Sequence, residues 1–431
     1  MSPARRPSGD ACFVWIWLPG AGHPVVCGRI ERLPGGALSF NYGQSYLDRS
    51  DAIAIEARDL PLQAGRFEPR APMIMPSALR DASPDSWGRR VILHTRAGGP
   101  TDPDELDYLM ESGSDRIGAL DFQADPTNYD ARGGGNASLD ELMTASERIA
   151  AGVPLTPALE LALRHGTAVG GARPKALIDD AGAKWIAKFS ASNDITDVIR
   201  TEYVAMRLAA RCGLDVAKVA LRTSLGKIVL LVERFDRQLA PDGQWHRRAM
   251  ESALTMLDLD EMEARYASYE QLAAVVRARF ADPRKSLHEL FGRMVFNILC
   301  GNTDDHARNH SAFWDGRALR LTPAYDICPQ PRTGQIAGQA MLIHGDRNDS
   351  RLALCIDAAA AFQLRADEAR ALIDRQIDCL RSGWAAVCDE AGMADADRTA
   401  LWGRQFLNPY AFEGWPYAFE GWGEAGRQGP S

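Results

Sequence analysis

The segment Gly301-Asn-Thr-Asp304-Asp-His306-Ala-Arg-Asn309-His-Ser311, with Leu321-Thr-Pro-Ala-Tyr-Asp326-Ile behind it, gathers hard oxygen donors into one short stretch. Asp304 stands five positions before Asn309, and Asp326 follows at the far end of a hairpin-like stretch. Phosphoryl transfer needs a base beside the acceptor hydroxyl and two hard oxygen ligands for Mg2+ beside the phosphates. Asp304 suits the base, and Asn309 and Asp326 suit the ligands. Asp305 is a further carboxylate, but the spacing favours Asp304 and Asn309. For His306 two readings stay open: it orients Asp304 or stacks under the phosphates, or it is a structural histidine hydrogen-bonded within the loop.

Three constellations upstream belong to the same chemistry. Gly166-Thr-Ala-Val169-Gly170-Gly171-Ala172-Arg173-Pro-Lys175 is a glycine segment whose backbone can approach phosphates and turn N–H groups toward them. It matches neither a Walker A loop nor G-x-G-x-x-G, and taken alone it reads as a hairpin turn. Lys188 lies between bulky apolar residues in a strand, where an unpaired ammonium is costly. Such a lysine can meet an α/β-phosphate and a helix glutamate, and Glu202 supplies that carboxylate; a solvent-facing edge lysine is the alternative. Val232-Glu233-Arg-Phe235-Asp-Arg237 ends a strand where a hinge would offer backbone groups to adenine, although charged strand ends are common. The order along the chain is glycine loop, lysine, glutamate, hinge, base and metal ligands.

The elements that must position these groups follow from the pattern. The 431 residues carry 46% hydrophobic and 25% charged residues, an ordinary globular balance, and a net charge of -8 argues against a nucleic-acid footprint for the chain as a whole. No apolar run reaches the length of a membrane span, and the run at 13–18 is too short for a signal-peptide core. The eight cysteines form no C-x-x-C pair, so free thiols in a reducing cytoplasm are expected. Residues 1–12 read as a disordered tail and 13–122 as a β-meander with short helices. Residues 123–137 read as a turn-rich linker and 138–240 as a β, β, α, β core. Residues 241–407 are mainly helical. Residues 408–431 hold a near-duplicate, Pro-Tyr-Ala-Phe-Glu-Gly-Trp at 409–415 and 416–422. We read it as a duplication in a disordered tail, with an aromatic docking peptide as the alternative. The class expected is α+β.

With these residues in place the chain resembles the HipA family of serine/threonine-protein kinase toxins, from about residue 13 to about residue 395. The resemblance rests on Phe40-Asn-Tyr42, Leu60-Pro-Leu62, Leu79-Arg-Asp-Ala-Ser-Pro-Asp-Ser-Trp-Gly-Arg89, Asp115-Arg-Ile-Gly-Ala-Leu120, Gly170-Gly-Ala-Arg-Pro-Lys175, Glu202-Tyr203, Val232-Glu-Arg-Phe-Asp-Arg237, Asn302-Thr-Asp-Asp-His-Ala-Arg-Asn309 and Tyr325-Asp326. It implies a two-lobed kinase-like fold, ATP with Mg2+, and a small dimeric helix-turn-helix antitoxin that binds operator DNA. It also implies a protein substrate in the translation machinery, an aminoacyl-tRNA synthetase being the known class. By position, Asp304 is similar to the family's base, Asn309 and Asp326 to its Mg2+ ligands, and Lys188 to its ATP-phosphate lysine. Residues 169–175 are similar to its phosphate loop, and Glu233 and Phe235 to its hinge.

One departure concerns regulation. Several family members carry a loop serine whose autophosphorylation ejects the loop; here Ala168 stands at that position, with Thr167 before it. Either Thr167 takes the role or this chain lacks the switch, and we favour the second. Two other functions stay open on sequence alone. One is a kinase fold acting on a small molecule or lipid head group. The other is a non-catalytic co-repressor bound to a DNA-binding partner.

Overall fold

The computed structural model describes residues 9–96, 103–133, 137–180, 182–191, 194, 196–332 and 334–415. The chain divides into two compact units, 1–193 with 222–251 and 313–317, and 194–221 with 252–312 and 318–431.

The first unit opens with an antiparallel meander. Ala11–Ile16 pairs with Val25–Arg32, which pairs with Leu38–Tyr42 and then the short Arg66–Phe67; Leu120–Gln123 joins the other edge of Ala11–Ile16. Alternate residues point to one face, so Val14, Ile16, Ile30, Phe40, Tyr42 and Phe122 share a core with Tyr46, Leu60 and Leu79. Helices Ser86–Thr95, Glu105–Glu111, Leu139–Ala150 and Pro157–His165 follow. The helix Leu139–Ala150 starts at a capping box between Ser138 and Glu141, which answers two amide groups that a helix start leaves bare. A second antiparallel sheet sets the hairpin Lys175–Asp180 and Ala183–Lys188 beside Lys227–Glu233.

The second unit is helical. Its central helix, Pro283–Cys300, is capped by Asp282, begins on proline and stops at Gly301. Gly301 has φ 73°, and a Cβ there would sit 2.7 Å from the carbonyl of Gln405. Glycine is needed twice over, for the left-handed backbone and for the close approach. The helix therefore ends sharply and delivers the chain to 302–311.

Several boundaries differ from those read along the sequence. The expected tail at 1–12 already contains the first strand from Ala11, since Cys12 is buried in the core; residues 1–8 lie outside the described ones. The expected linker is packed: Tyr129 meets Trp15 and Trp17, and its hydroxyl donates to Asp121 at 3.0 Å. Aromatic burial outweighs the turn-rich composition there; residues 134–136 lie outside the described ones. The helix Val198–Arg211, which carries Glu202, belongs to the second unit and not with the 138–240 strands. It packs on Ala366–Glu390, where Glu390 accepts from Tyr203 at 3.0 Å and pairs with Arg207 at 2.7 Å. The first aromatic copy is folded: Pro409–Phe412 forms a 3-10 turn capped by Asn408, and Tyr410 and Trp415 are buried. The second copy lies outside the described residues.

All eight cysteines are free. Among the described residues no helix is long and apolar enough to cross a membrane.

Candidate active site

In the first unit the glycine segment leads into the strand Lys175–Asp180, and Lys188 ends the partner strand. Lys175 stands directly opposite Lys188 in the ladder, so both side chains leave one face of the sheet. They are 3% and 9% exposed. Two ammonium groups at one buried spot favour anions there. Gly171 has φ 111°, a conformation open to glycine, and its N–H donates to the Asp85 carboxylate. The Lys175 ammonium donates to the carbonyl of Gly170.

This segment is gripped from a stretch that the sequence marked only by resemblance. Asp85 caps the helix Ser86–Thr95 by position, yet its carboxylate turns to Gly171 and makes no cap bond. The indole of Trp87 donates to the carbonyl of Lys175 at 2.9 Å. Gly88 lies so close that a Cβ would come within 1.9 Å of the Thr167 carbonyl. Gly113 N–H donates to the Thr167 hydroxyl at 3.0 Å, and Ile117 N–H to the Ala168 carbonyl at 3.3 Å. The Gly170-side residues Val169, Ala172 and Arg173 ride on these anchors.

Glu233 ends its strand opposite Trp185, and the Arg234 N–H donates to the carbonyl of Lys184 at 2.8 Å. Phe235 packs edge-on against Phe313. Between them Arg234 points inward, fully buried, to Asp115 and Asp236, both at 2.9 Å. Arg237 pairs with Asp115 at 2.8 Å and Asp236 at 2.7 Å, and Gly118 N–H donates to Asp236 at 2.8 Å. Burial and the neighbouring Arg234 pull Arg237 down to about 10, against the two aspartates. Burial also opposes charge on Arg234, but Asp115 and Asp236 outweigh it and raise that group. The motif at 115–120 is thus a clamp on the strand end at 233–237, a role that composition could not reveal.

In the second unit Asp304, Asn309 and Asp326 come together. Asp304 faces solvent at the rim of the loop, while Asn309 is buried and its side-chain amide donates to the Asp304 carbonyl at 3.2 Å. That bond uses the nitrogen and leaves the carboxamide oxygen as the acceptor to offer. Desolvation pushes the Asp304 carboxyl above the usual carboxylate range, and the like charges of Asp326 and Asp305 add to it; His306 works in the other direction. Asp326 takes a left-handed backbone, φ 58°, next to the anchored Tyr325. The Tyr325 hydroxyl donates to the Arg308 carbonyl at 2.7 Å and lies 2.6 Å from the Ser311 hydroxyl. His306 is partly buried and opens the turn Ala307–Asn309 without a side-chain cap. Asp305 points away from this set, into the protein, where it meets Tyr269 and His310. Glu202 is buried in the helix Val198–Arg211 of this second unit, whereas Lys188 belongs to the first.

The donor set fits Mg2+ shared with phosphates: one carboxylate and one carboxamide oxygen, with the remaining positions left to phosphate and water. Among the described residues no group of three or more His, Cys, Asp or Glu could hold a metal ion.

Comparison with known proteins identifies the family. Residues 167–384 match the model of the HipA-like C-terminal domain, just over half of the chain, and residues 21–123 match the HipA N-terminal domain. A protein of Sinorhizobium fredii named putative kinase Y4mE is 27% identical over 331 residues, 72% of this chain and 76% of the relative. The serine/threonine-protein kinase toxin HipA of Shewanella oneidensis is 29% identical over 147 residues, 30% of this chain and 34% of the relative. A solved Shewanella oneidensis structure of HipA with HipB and operator DNA superposes at a TM-score of 0.66 and 18% identity. That match covers 92% of this chain and 99% of the other, and it shows a shared fold. With both models matched in order along one polypeptide, the chain belongs to the HipA family.

Proposed function

We propose that this protein is an ATP- and Mg2+-dependent serine/threonine protein kinase and the toxin of a toxin–antitoxin pair. The observation that carries the reading is the loop in which Asn309 is tied to Asp304 while the charge of Asp326 reaches the Asp304 carboxyl. Membership of a family whose named relatives are kinases supports it.

In this reading Lys188, Lys175 and the segment 169–173 hold the phosphates, the Gly171 N–H being engaged by Asp85 and not by phosphate, and Glu233 and Phe235 offer backbone groups to adenine. Asn309 and Asp326 would hold Mg2+, which would supply charge neutralisation at the phosphates when bound. Asp304 takes the proton of the acceptor hydroxyl as its oxygen bonds to the γ-phosphorus. The bond from that phosphorus to the bridging oxygen breaks, and ADP leaves. The raised position of the Asp304 carboxyl makes it a better proton acceptor than an ordinary aspartate. His306 sits beside the phosphates.

The partner in this proposal is a small dimeric helix-turn-helix antitoxin, and through it operator DNA; the Shewanella HipA is seen with HipB and operator DNA. The acceptor is a protein of the translation machinery such as an aminoacyl-tRNA synthetase, phosphorylated in the cytoplasm. Transfer of labelled γ-phosphate tests the chemistry: Asp304→Ala should lower the rate by several orders of magnitude. Near-wild-type transfer by that variant would remove Asp304 from its role. Growth arrest on expression, relieved by a helix-turn-helix protein encoded next door, tests the toxin assignment.

A further inference from the structure

Each chemical residue of the catalytic loop is held through its neighbour in sequence. Asp326 stands next to the anchored Tyr325, and the stretch 304–309 is closed at both ends by Asp305 and His310. Asp305 and His310 are each 2% exposed. The His310 imidazole Nε2 lies 3.0 Å from one Asp305 oxygen, and the hydroxyl of Tyr269 donates to the other. The Tyr269 hydroxyl is also 3.1 Å from His310 Nε2, and the two rings meet edge to face. The three groups form a closed buried triangle beneath the loop. Since Asp305 is the acceptor to both, Nε2 carries the His310 hydrogen, and no partner faces Nδ1.

The triangle is fixed to the scaffold on each side. Tyr269 begins the helix Tyr269–Arg279, with Ser268 as its cap, and its N–H donates to the Leu342 carbonyl at 2.9 Å. The His310 carbonyl accepts from Ala253 N–H at 2.7 Å. Burial, reinforced by Asp305, holds the Tyr269 phenol far above its ordinary range, so it stays a donor. A carboxylate removed from water in this way is stable only while its donors stay in place.

We propose that Tyr269, Asp305 and His310 are a positioning triad that sets the distance between the base Asp304 and the metal ligand Asn309. The proposal rests on the kinase reading for the roles of Asp304 and Asn309, and on geometry alone for the ordering of the loop. Asp305 is therefore a structural anchor and no metal ligand. The triad touches neither nucleotide nor acceptor, so its loss acts on turnover and leaves nucleotide affinity in place.

The test is Tyr269→Phe, which deletes one hydroxyl and keeps the ring, and His310→Gln, with the double variant beside them. Turnover should fall about 10–100-fold, the range for groups that support metal ligands, with KM for ATP within about 2-fold of wild type. The double variant should fall no further than the worse single one. Hydrogen exchange in the nucleotide-free protein is the second readout: amides at 304–310 should exchange at least 10-fold faster in Tyr269→Phe, with those of Pro283–Cys300 unchanged. Wild-type exchange at 304–310 in Tyr269→Phe overturns the proposal, as does wild-type turnover. If the wild-type protein transfers no phosphate but the exchange difference appears, the kinase reading fails and the ordering of the loop stands. A general loss of protection in Tyr269→Phe would make the residue a fold determinant and also overturn the proposal.

Discussion

The glycine segment at 166–175 and the candidate catalytic loop at 301–311 are both short, polar and irregular, and they are held in opposite ways. The glycine segment is gripped by distant chain: Gly113 lies 54 positions from Thr167, Asp85 lies 86 from Gly171, and Trp87 lies 88 from Lys175. Most of those contacts reach its backbone. The catalytic loop is gripped through side chains that alternate with its chemical ones, Asp305, His310 and Tyr325. A backbone grip tolerates changes in the loop's own side chains and is sensitive to shape in the gripping element. A side-chain grip is sensitive to single polar deletions and indifferent to shape farther away.

The largest effect expected from that contrast is at Gly88. Alanine there improves helix propensity by about 1 kcal/mol. Its Cβ, however, would press on the Thr167 carbonyl at 1.9 Å. Overpacking of that kind costs about 1–3 kcal/mol, so collision outweighs propensity and the protein loses stability. KM for ATP should rise with the displaced loop. Denaturant unfolding of Gly88→Ala checks the first point and steady-state kinetics the second. A variant as stable as wild type would show that the helix does not press on the loop.

The contrast also explains what could be read from the sequence. The candidate loop at 301–311 stood out because its polar residues are nearly contiguous, and the type of each one suggests a chemistry. Lys188 and the strand end at 233–237 stood out by their order along the chain alone. Asp85, Trp87 and Gly88 were marked by resemblance alone, because their role is to touch backbone far away, and by residue type they read as an ordinary helix start. Asp115 and Arg234 were hidden for a related reason: an ion-pair cluster takes its meaning from tertiary pairing. Spacing alone set Asp305 aside as a possible metal ligand beside Asp304, and its burial against Tyr269 gives the physical reason. The fold class was legible from period and punctuation. The helix Val198–Arg211 was misplaced because sequence adjacency to the strands concealed its apolar face against Ala366–Glu390.

A smaller effect sharpens the comparison at Asp304. Its folded-state carboxyl lies above the ordinary range, by desolvation and then by the charges of Asp326 and Asp305. Folding thus favours the protonated form, and the charged form is a burden once the pH exceeds the unfolded value. Asp304→Asn should therefore raise the melting temperature slightly at neutral pH while abolishing transfer. The difference should shrink as the pH falls below the ordinary aspartate range, where wild type is protonated in both states. A variant less stable than wild type at neutral pH would mean that the carboxylate is held by favourable contacts.

The smallest effect, an expected zero, concerns Thr167. Its side chain is fully buried and its hydroxyl accepts the Gly113 N–H, and Ala168 beside it has no hydroxyl to offer. Phosphate on Thr167 would put a bulky dianion into a closed space where the side chain is fully buried. The backbone grip therefore also closes the residue to modification. Protein incubated with ATP and Mg2+ should show no phosphate at Thr167 by mass spectrometry, at any occupancy that tracks activity. Stoichiometric phosphate there would mean that the grip opens in solution, and that the distant contacts are a latch on the segment and not a fixed support.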